Sequence, residues 1–432
     1  MKVALVNPPW CFEGSIYFGC RDPHLPLEFG YTRALLSRDG HDARIFDAQA
    51  AGWNLDELRA HIEDFGPEMT VVTTAPSYLF WRCAPPELRV PRDTIEALRP
   101  VAGAIVVVGP HASTTPSATL RKLRPDAVVL GECEEIVLRM ASTPSEKWGT
   151  LPSIARHVNG ETVVTSGPHA TEMKSLPALR WEAEEVERHR HHHHRFDIEP
   201  TVPGAEVEYS RGCPYHCTFC AKDNFRDRFR KRLLSTVLDE IDALIAQGVG
   251  YVYFIDEIFV PDRELLEALE QREIAFGVQM RIDQWSFEML DLLGRAGCVS
   301  IEAGVESITE KGRSLLAKKC KLSTEELTRR LIHAKRSVAF VQANLLEAKT
   351  DRPEDVAAWR DRLRNEGVWA NEPVPLFPYP GSPSYSQRWG KPDDLAWERA
   401  HEHYLAEFDE FSDIQVPRPV PLPELEGMAG HD

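Results

Sequence analysis

The run Arg211-Gly212-Cys213-Pro214-Tyr215-His216-Cys217-Thr218-Phe219-Cys220 follows a strand-like stretch at residues 205–210 and opens a series of alternating strand and helix patterns. Its cysteines are spaced C-x3-C-x2-C, so they fit one tight loop and can hold three corners of a cubane iron–sulfur cluster. Most such clusters take four Cys ligands. With no fourth cysteine nearby, one iron is left open to bind a substrate or cofactor directly. The plainer readings are a structural zinc loop and a reducible dithiol. Zinc asks for four ligands, usually in paired C-x2-C or H-x3-H units, and His216 inside the loop is poorly placed to complete them.

Downstream of this run the periodicity predicts strands at residues 205–210, 251–255, 274–279, 299–303, 338–345 and 369–376. Helical patterns fall between them at 233–247, 263–272, 286–296, 324–336 and 353–365. Six β/α units are too few for a closed eight-stranded barrel. They predict an open, partial (β/α)6 TIM-type barrel with the cysteines just after its first strand, where barrel chemistry is normally placed.

Upstream, apolar β-branched runs at 2–6, 43–46, 69–73, 104–108 and 127–130 alternate with helical patterns at 27–38, 55–65, 92–98 and 115–123. Strands buried on both faces and spaced by helices predict a doubly wound, Rossmann or flavodoxin-like parallel sheet. Ligands of such sheets lie beyond the carboxyl ends of the strands. The domain expectation is therefore α/β throughout: a doubly wound domain at 1–145, a linker at 146–203, the partial barrel at 204–385, and a helix with a Pro-rich, loosely packed tail at 386–432. The linker holds a possible hairpin at 154–165, turning at Asn159-Gly160, and a His-rich run of His189 and His191 to His194, read as a solvated stretch.

Composition excludes several classes. The chain has 432 residues, 43% hydrophobic and 27% charged, as for an ordinary globular protein of two or three domains. A formal net charge of −17 repels polyanions, so nucleic acid is not the expected partner. The basic stretch at 226–232 reads as a solvated loop or an anion site. No apolar run reaches the ~20 residues of a membrane span. The first residues lack a secretory signal, and the cysteines outside the triad form no paired framework, which points to a reducing cytoplasm.

The cysteine spacing, with the aromatic Phe219 before the last Cys, resembles the signature of the radical S-adenosylmethionine (SAM) enzymes. That resemblance implies a [4Fe-4S] cluster on Cys213, Cys217 and Cys220, with SAM chelating the open iron. An electron from an external donor such as flavodoxin or ferredoxin would then cleave SAM to methionine and a 5′-deoxyadenosyl radical. It also implies SAM contacts from Phe219, from Asp256 and Glu257 after the second barrel strand, from Arg281 after the third, from Glu306 and Ser307 in Gly304-Val305-Glu306-Ser307, and from Gln342 on the fifth. Carboxylates at strand ends also serve as caps and ion-pair partners, which is the competing reading for the acidic residues. The loop Phe377-Pro378-Tyr379-Pro380-Gly381-Ser382-Pro383 resembles the segment after the sixth strand, and Tyr379 is a candidate for substrate positioning or proton handling.

The N-terminal series resembles the cobalamin-binding domain that precedes the barrel in one large subgroup. The matching loops are Asn7-Pro8-Pro9, Thr74-Ala75-Pro76-Ser77, Val108-Gly109-Pro110-His111 and Leu130-Gly131-Glu132. Pro8, Pro76, Ser77, Gly109, His111 and Gly131 are thereby implied as corrin contacts. The Asp-x-His-x-x-Gly signature of many other cobalamin enzymes is absent, so no His of this domain is expected on the lower face of cobalt. Leu345-Leu346-Glu347-Ala348 replaces the Gly-x-Pro-Gly-type turn of many relatives, on the substrate side of the barrel. The implied activity is C-methylation of an unactivated carbon of a small-molecule substrate. A non-methylating cyclase or ring-rearranging enzyme of the same subgroup is the nearest alternative, and an iron–sulfur redox sensor is the alternative from another class.

Overall fold

The computed structural model describes residues 1–17, 21–76, 84–189, 202–222, 228–407 and 419–427. They divide into two compact units. The first comprises residues 1–181, 220–227 and 377–432; the second comprises 182–219 and 228–376. Ser77, Cys20, Cys83 and His191 to His194 lie outside the described residues.

In the first unit, β1 (Lys2–Asn7), β2 (Asp42–Asp47), β3 (Met69–Thr73), β4 (Ala104–Val108) and β5 (Ala127–Val129) form a parallel sheet in the order β2-β1-β3-β4-β5. Every residue of β3 is buried, because helices cover both faces of the sheet. Val3, Leu5, Val71, Val106 and Val108 face one core, while Ala4, Val6, Val72, Val107 and Val128 face the other. That is the period-two alternation of a pleated strand. The intervening helices stop where the sequence predicts. Helix Leu55–Phe65 starts with a capping box between Asn54 and Glu57 and ends at Gly66, whose φ of +61° is left-handed.

Two stretches expected outside this domain belong to it. β6 (Ile154–Val158) pairs antiparallel with β5, and β7 (Glu161–Val164) pairs with β6, so the hairpin extends the sheet to seven strands. Asn159 and Gly160 both adopt positive φ, 52° and 85°, as a two-residue hairpin turn of this hand requires. The boundary at 145 therefore falls inside the sheet. The C-terminal stretch is not loose either. Helix Ala396–Glu407 buries Trp397, Ala400, His401 and Tyr404, and helix Leu422–Gly427 buries Leu422 and Leu425. Ion pairs fix both helices to helix Pro116–Leu123: Arg121 to Asp394 at 2.6 Å, and Lys122 to Glu398 and Glu426 at 2.7 and 2.9 Å.

In the second unit, β8 (Gly204–Val207), then β9 (Ser210–Arg211) and β10 (Arg230–Lys231) as a separate antiparallel ribbon, precede β11 (Tyr251–Phe254), β12 (Ala275–Met280), β13 (Cys298–Glu306), β14 (Phe340–Leu345) and β15 (Trp369–Ala370). The six-stranded parallel sheet runs β8-β11-β12-β13-β14-β15, each strand beside its predecessor, with helices Leu234–Ala246, Arg263–Glu270, Phe287–Arg295, Thr324–Lys335 and Pro353–Asn365 among the crossovers. This is the partial (β/α)6 series. Its last strand is shorter than the predicted 369–376. Asn371 ends it by substituting a side chain for the ladder, accepting from Leu345 N–H at 2.6 Å and donating to Leu345 C=O at 3.0 Å. Beyond it the pairing returns only as an isolated parallel bridge of Val374 to Leu346, flanked by Pro373 and Pro375, which have no N–H.

Candidate active site

The cysteine loop leaves the carboxyl end of β8 and is pinned from several sides. Asp256, just past β11, accepts from the backbone N–H of Tyr209 at 2.9 Å and of Ser210 at 2.7 Å, and from the Ser210 hydroxyl. Glu257 accepts from Gly212 N–H at 2.7 Å, and Gly212 takes φ of +82° immediately before Cys213. Thr218 N–H donates to Leu316 C=O at 3.0 Å. Arg211 makes a buried two-point fork to Glu208 at 2.9 and 2.8 Å. The ribbon of β9 and β10 closes the base of the loop. Asp256 is thus a backbone clamp with both oxygens engaged. Burial pushes its carboxyl up to about 8 against the opposing pull of these hydrogen bonds. Glu257 spends one oxygen in the same way.

Cys213, Cys217, Phe219 and Cys220 are all half-buried. Burial pushes the Cys217 thiol up, while Lys318 and Arg281 pull it down and Glu306 and Cys213 oppose them. Among the described residues, no three His, Cys, Asp or Glu side chains converge as a single metal ion would require. A cubane asks less, since each thiolate meets a different iron atom.

Two buried cations flank the loop. Arg281, after β12, forks onto Asp283 at 3.0 and 2.8 Å and lies 3.8 Å above the Tyr215 ring. Its remaining nitrogen, Nη1, is buried with no acceptor among the described residues. A buried donor left unmatched is costly, and an anionic ligand would satisfy it. Lys318 meets Glu306 at 2.6 Å with 3% of its side chain exposed. Glu306 adopts φ of +66°, a strained conformation for a residue with a side chain, at an irregular register between β13 and β14. Lys318 carried no sequence signal beyond its place in a lysine-rich stretch.

The other implied SAM residues are placed differently. Ser307 is fully buried and donates to Asp351 at 2.7 Å, inside a turn network with Thr309, so it is structural. Gln342 donates to Asn344 at 2.5 Å along β14. Tyr379 belongs to the first unit, where it is 7% exposed and packs edge-on against Phe377 and Trp397.

In the first unit, Pro8, Pro76, Gly109 and Gly131 follow β1, β3, β4 and β5, at one edge of the sheet. Gly109 takes φ of +115°, and a Cβ on it would stand 2.5 Å from Thr74 Oγ1. Gly131 takes φ of +84°, and a Cβ there would meet His169 C=O at 2.3 Å. Ser113 ties the two loops together: its hydroxyl donates to Gly109 C=O and accepts from Gly131 N–H, both at 2.9 Å. Beside it opens a cleft of about 540 Å³, lined by Ser113, Thr114, Pro168, Ser386 and Lys391. His111 does not face this cleft. Its ring stacks on Trp397 at 4.2 Å, its Nε2 lies 3.3 Å from Pro86 C=O, and burial pushes it down to about 3. Its ring is neutral and packed in the core of the first unit.

Residues 207–352 match the Radical SAM superfamily. The matched segment contains the cysteine run and the residues that clamp it. It is also similar to an uncharacterized methyltransferase of Pyrococcus horikoshii, 24% identical over 72% of this chain and 66% of the relative. Cytidylyl-2-hydroxyethylphosphonate methyltransferase of Streptomyces wedmorensis is 25% identical over 74% of this chain and 67% of its own length. The chain spans about two thirds of the length of those relatives. Its fold is that of the radical SAM methyltransferase TsrM of Kitasatospora setae, solved with cobalamin and a [4Fe-4S] cluster. The TM-score is 0.70 at 20% identity, covering 89% of this chain and 76% of TsrM.

Proposed function

We propose that this chain is a cobalamin-dependent radical SAM methyltransferase acting on an unactivated carbon of a small molecule. The observation that carries the reading is the C-x3-C-x2-C loop clamped by Asp256 and Glu257 at the mouth of a (β/α)6 sheet, with a buried Arg281 nitrogen lacking an acceptor among the described residues. When bound, the cluster with SAM supplies a hydrogen-abstracting carbon radical, and cobalamin supplies a transferable methyl group.

The chain's own residues then have defined tasks. Cys213, Cys217 and Cys220 hold the cluster as thiolates and leave one iron without a protein ligand. The backbone clamp keeps the loop in one conformation, so ligand spacing is fixed before the metal enters. Arg281 Nη1 offers a charge-assisted hydrogen bond to the carboxylate of SAM, with its other nitrogens already held by Asp283. Lys318 holds the Glu306 carboxylate in place beside Cys217. In the first unit, the loops after β1, β3, β4 and β5 suit a flat macrocycle: two are held by Ser113, and the cleft beside it has hydroxyls and Lys391 for a polar appendage. The methyltransferases among its relatives support methylation over the cyclase alternative.

The test is anaerobic reconstitution with iron, sulfide and hydroxocobalamin, followed by turnover with SAM, a reductant and candidate metabolites. Methyl transfer yields S-adenosylhomocysteine together with 5′-deoxyadenosine and a product heavier by one methylene. Deoxyadenosine alone, without S-adenosylhomocysteine, would place the chain with the non-methylating enzymes. Cys217→Ala is expected to lose SAM cleavage and to retain corrinoid uptake; deoxyadenosine production at the wild-type rate by that variant would contradict the cluster assignment.

A further inference from the structure

The reductant has to reach the cysteine loop, and one surface beside that loop is basic in an acidic chain. Residues 311–322 contain Lys311, Arg313, Lys318, Lys319 and Lys321 and no acid, in a protein of net charge −17. Arg313 and Lys318 turn inward. Arg313 donates to Ser307 C=O at 2.9 Å and Lys318 takes Glu306, so both are buried. Lys311, Lys319 and Lys321 stay exposed. Among the described residues, no carboxylate lies within ion-pair distance of any of them, in contrast to Arg263, Arg272, Arg352 and Arg362 of the same unit, each paired to an acid.

An apolar side chain stands among these cations. Leu315 is 64% exposed, the most exposed large hydrophobic residue described. Positive φ at Ala317 and Lys319, 51° and 52°, shapes the turn that carries the patch. The same turn is bonded to the cysteine loop, since Leu316 C=O accepts from Thr218 N–H at 3.0 Å. Unpaired cations around an exposed leucine, one hydrogen bond from the cluster loop, make a small charged surface of the kind used in transient redox encounters.

We propose that Lys311, Leu315, Lys319 and Lys321 form the docking surface for an acidic one-electron donor protein of the flavodoxin type. The proposal rests on the radical SAM reading above. An acidic partner is repelled on average by this chain and attracted at this patch, which steers encounter to the side of the molecule bearing the cluster loop. In the step it serves, the donor is oxidised by one electron and the cluster is reduced by one; no bond is made or broken and no proton moves.

The experiment uses the full chain with its cluster reconstituted, and reduced flavodoxin as the probe. Flavodoxin affinity is measured by calorimetry at low and high ionic strength, and the rate of cluster reduction by stopped flow. The K311E/K319E/K321E variant is expected to bind at least tenfold more weakly than wild type, to lose the salt dependence, and to be reduced by flavodoxin about tenfold more slowly. Leu315→Ser, with no change of charge, is expected to weaken binding several-fold and keep the salt dependence. Reduction by dithionite and affinity for SAM should stay at wild-type values in both. Wild-type flavodoxin affinity in the triple variant overturns the docking surface, and so does an equal loss of the dithionite rate, which would mean the lysines act on the cluster itself. A wild-type chain whose reconstituted protein holds no reducible cluster overturns the radical SAM function, and the docking surface with it.

Discussion

Arg281 and Asp256 show how differently two strand-end residues of one barrel can be used. Arg281 ends β12 with one nitrogen unfilled, so it is the residue with most to gain from a bound carboxylate. Arg281→Gln is expected to weaken SAM binding by roughly ten- to a hundredfold, the worth of a charge-assisted hydrogen bond; equilibrium binding to the reconstituted protein checks it, and unchanged affinity would remove Arg281 from the site. Asp256 accepts from two backbone N–H groups and a hydroxyl, and its burial bears on stability. Unfolded, its carboxyl titrates near 3.8; folded, burial holds it protonated up to about 8. Between those values the native state binds the extra proton, so the contribution present below about pH 4 is lost as pH rises through about 8. Asp256→Asn is expected to flatten that part of the stability profile, read from urea midpoints at pH 5 and 8; an unaltered slope would mean the carboxyl is already ionised. The sequence marks both residues as polar groups at strand ends. It could not tell a clamp from a ligand contact, because that depends on which backbone N–H groups lie 3 Å away.

Elements were mostly legible where burial is two-sided. β3 and β4 are rich in apolar and β-branched residues because both faces meet helices, and such runs can be read from one chain. The hairpin of β6 and β7 was legible as a hairpin from Asn159-Gly160, but its partner β5 was not, since an antiparallel edge pairing leaves no mark in either strand alone. The tight approach of the segment at 168–169 to β5 is equally silent in the pattern, although Gly131 is the residue that permits it. Gly131→Ala would put a Cβ at 2.3 Å from His169 C=O in a left-handed backbone. We expect a loss of at least about 2 kcal/mol from strain and clash together, seen as a lower thermal midpoint and weaker corrinoid uptake. A variant as stable as wild type would show that this loop can move aside, and with it the reason for glycine there.

At the scale of the molecule, the chain returns to its first unit after completing the second, and this was the least legible feature. Trp397 stacks on His111 and donates to Thr115 Oγ1 at 3.2 Å, so a residue near the C-terminus completes a core laid down near the N-terminus. Trp397→Ala should cost about 3–5 kcal/mol, as for other large buried aromatics. Urea unfolding measures it, and a loss below about 1 kcal/mol would mean the C-terminal helix is dispensable to the first unit. By itself the sequence determined the two α/β series, the order of their strands' hydrophobic runs and the cysteine triad, because periodicity and close spacing are local properties of a chain. Tertiary structure decided that Asp256 clamps, that Ser307, Tyr379 and His111 pack, that Lys318 joins the site, and that the C-terminal helices belong to the first unit. Those roles depend on neighbours tens or hundreds of positions away, and what a polar side chain does is fixed by the partner that replaces its water.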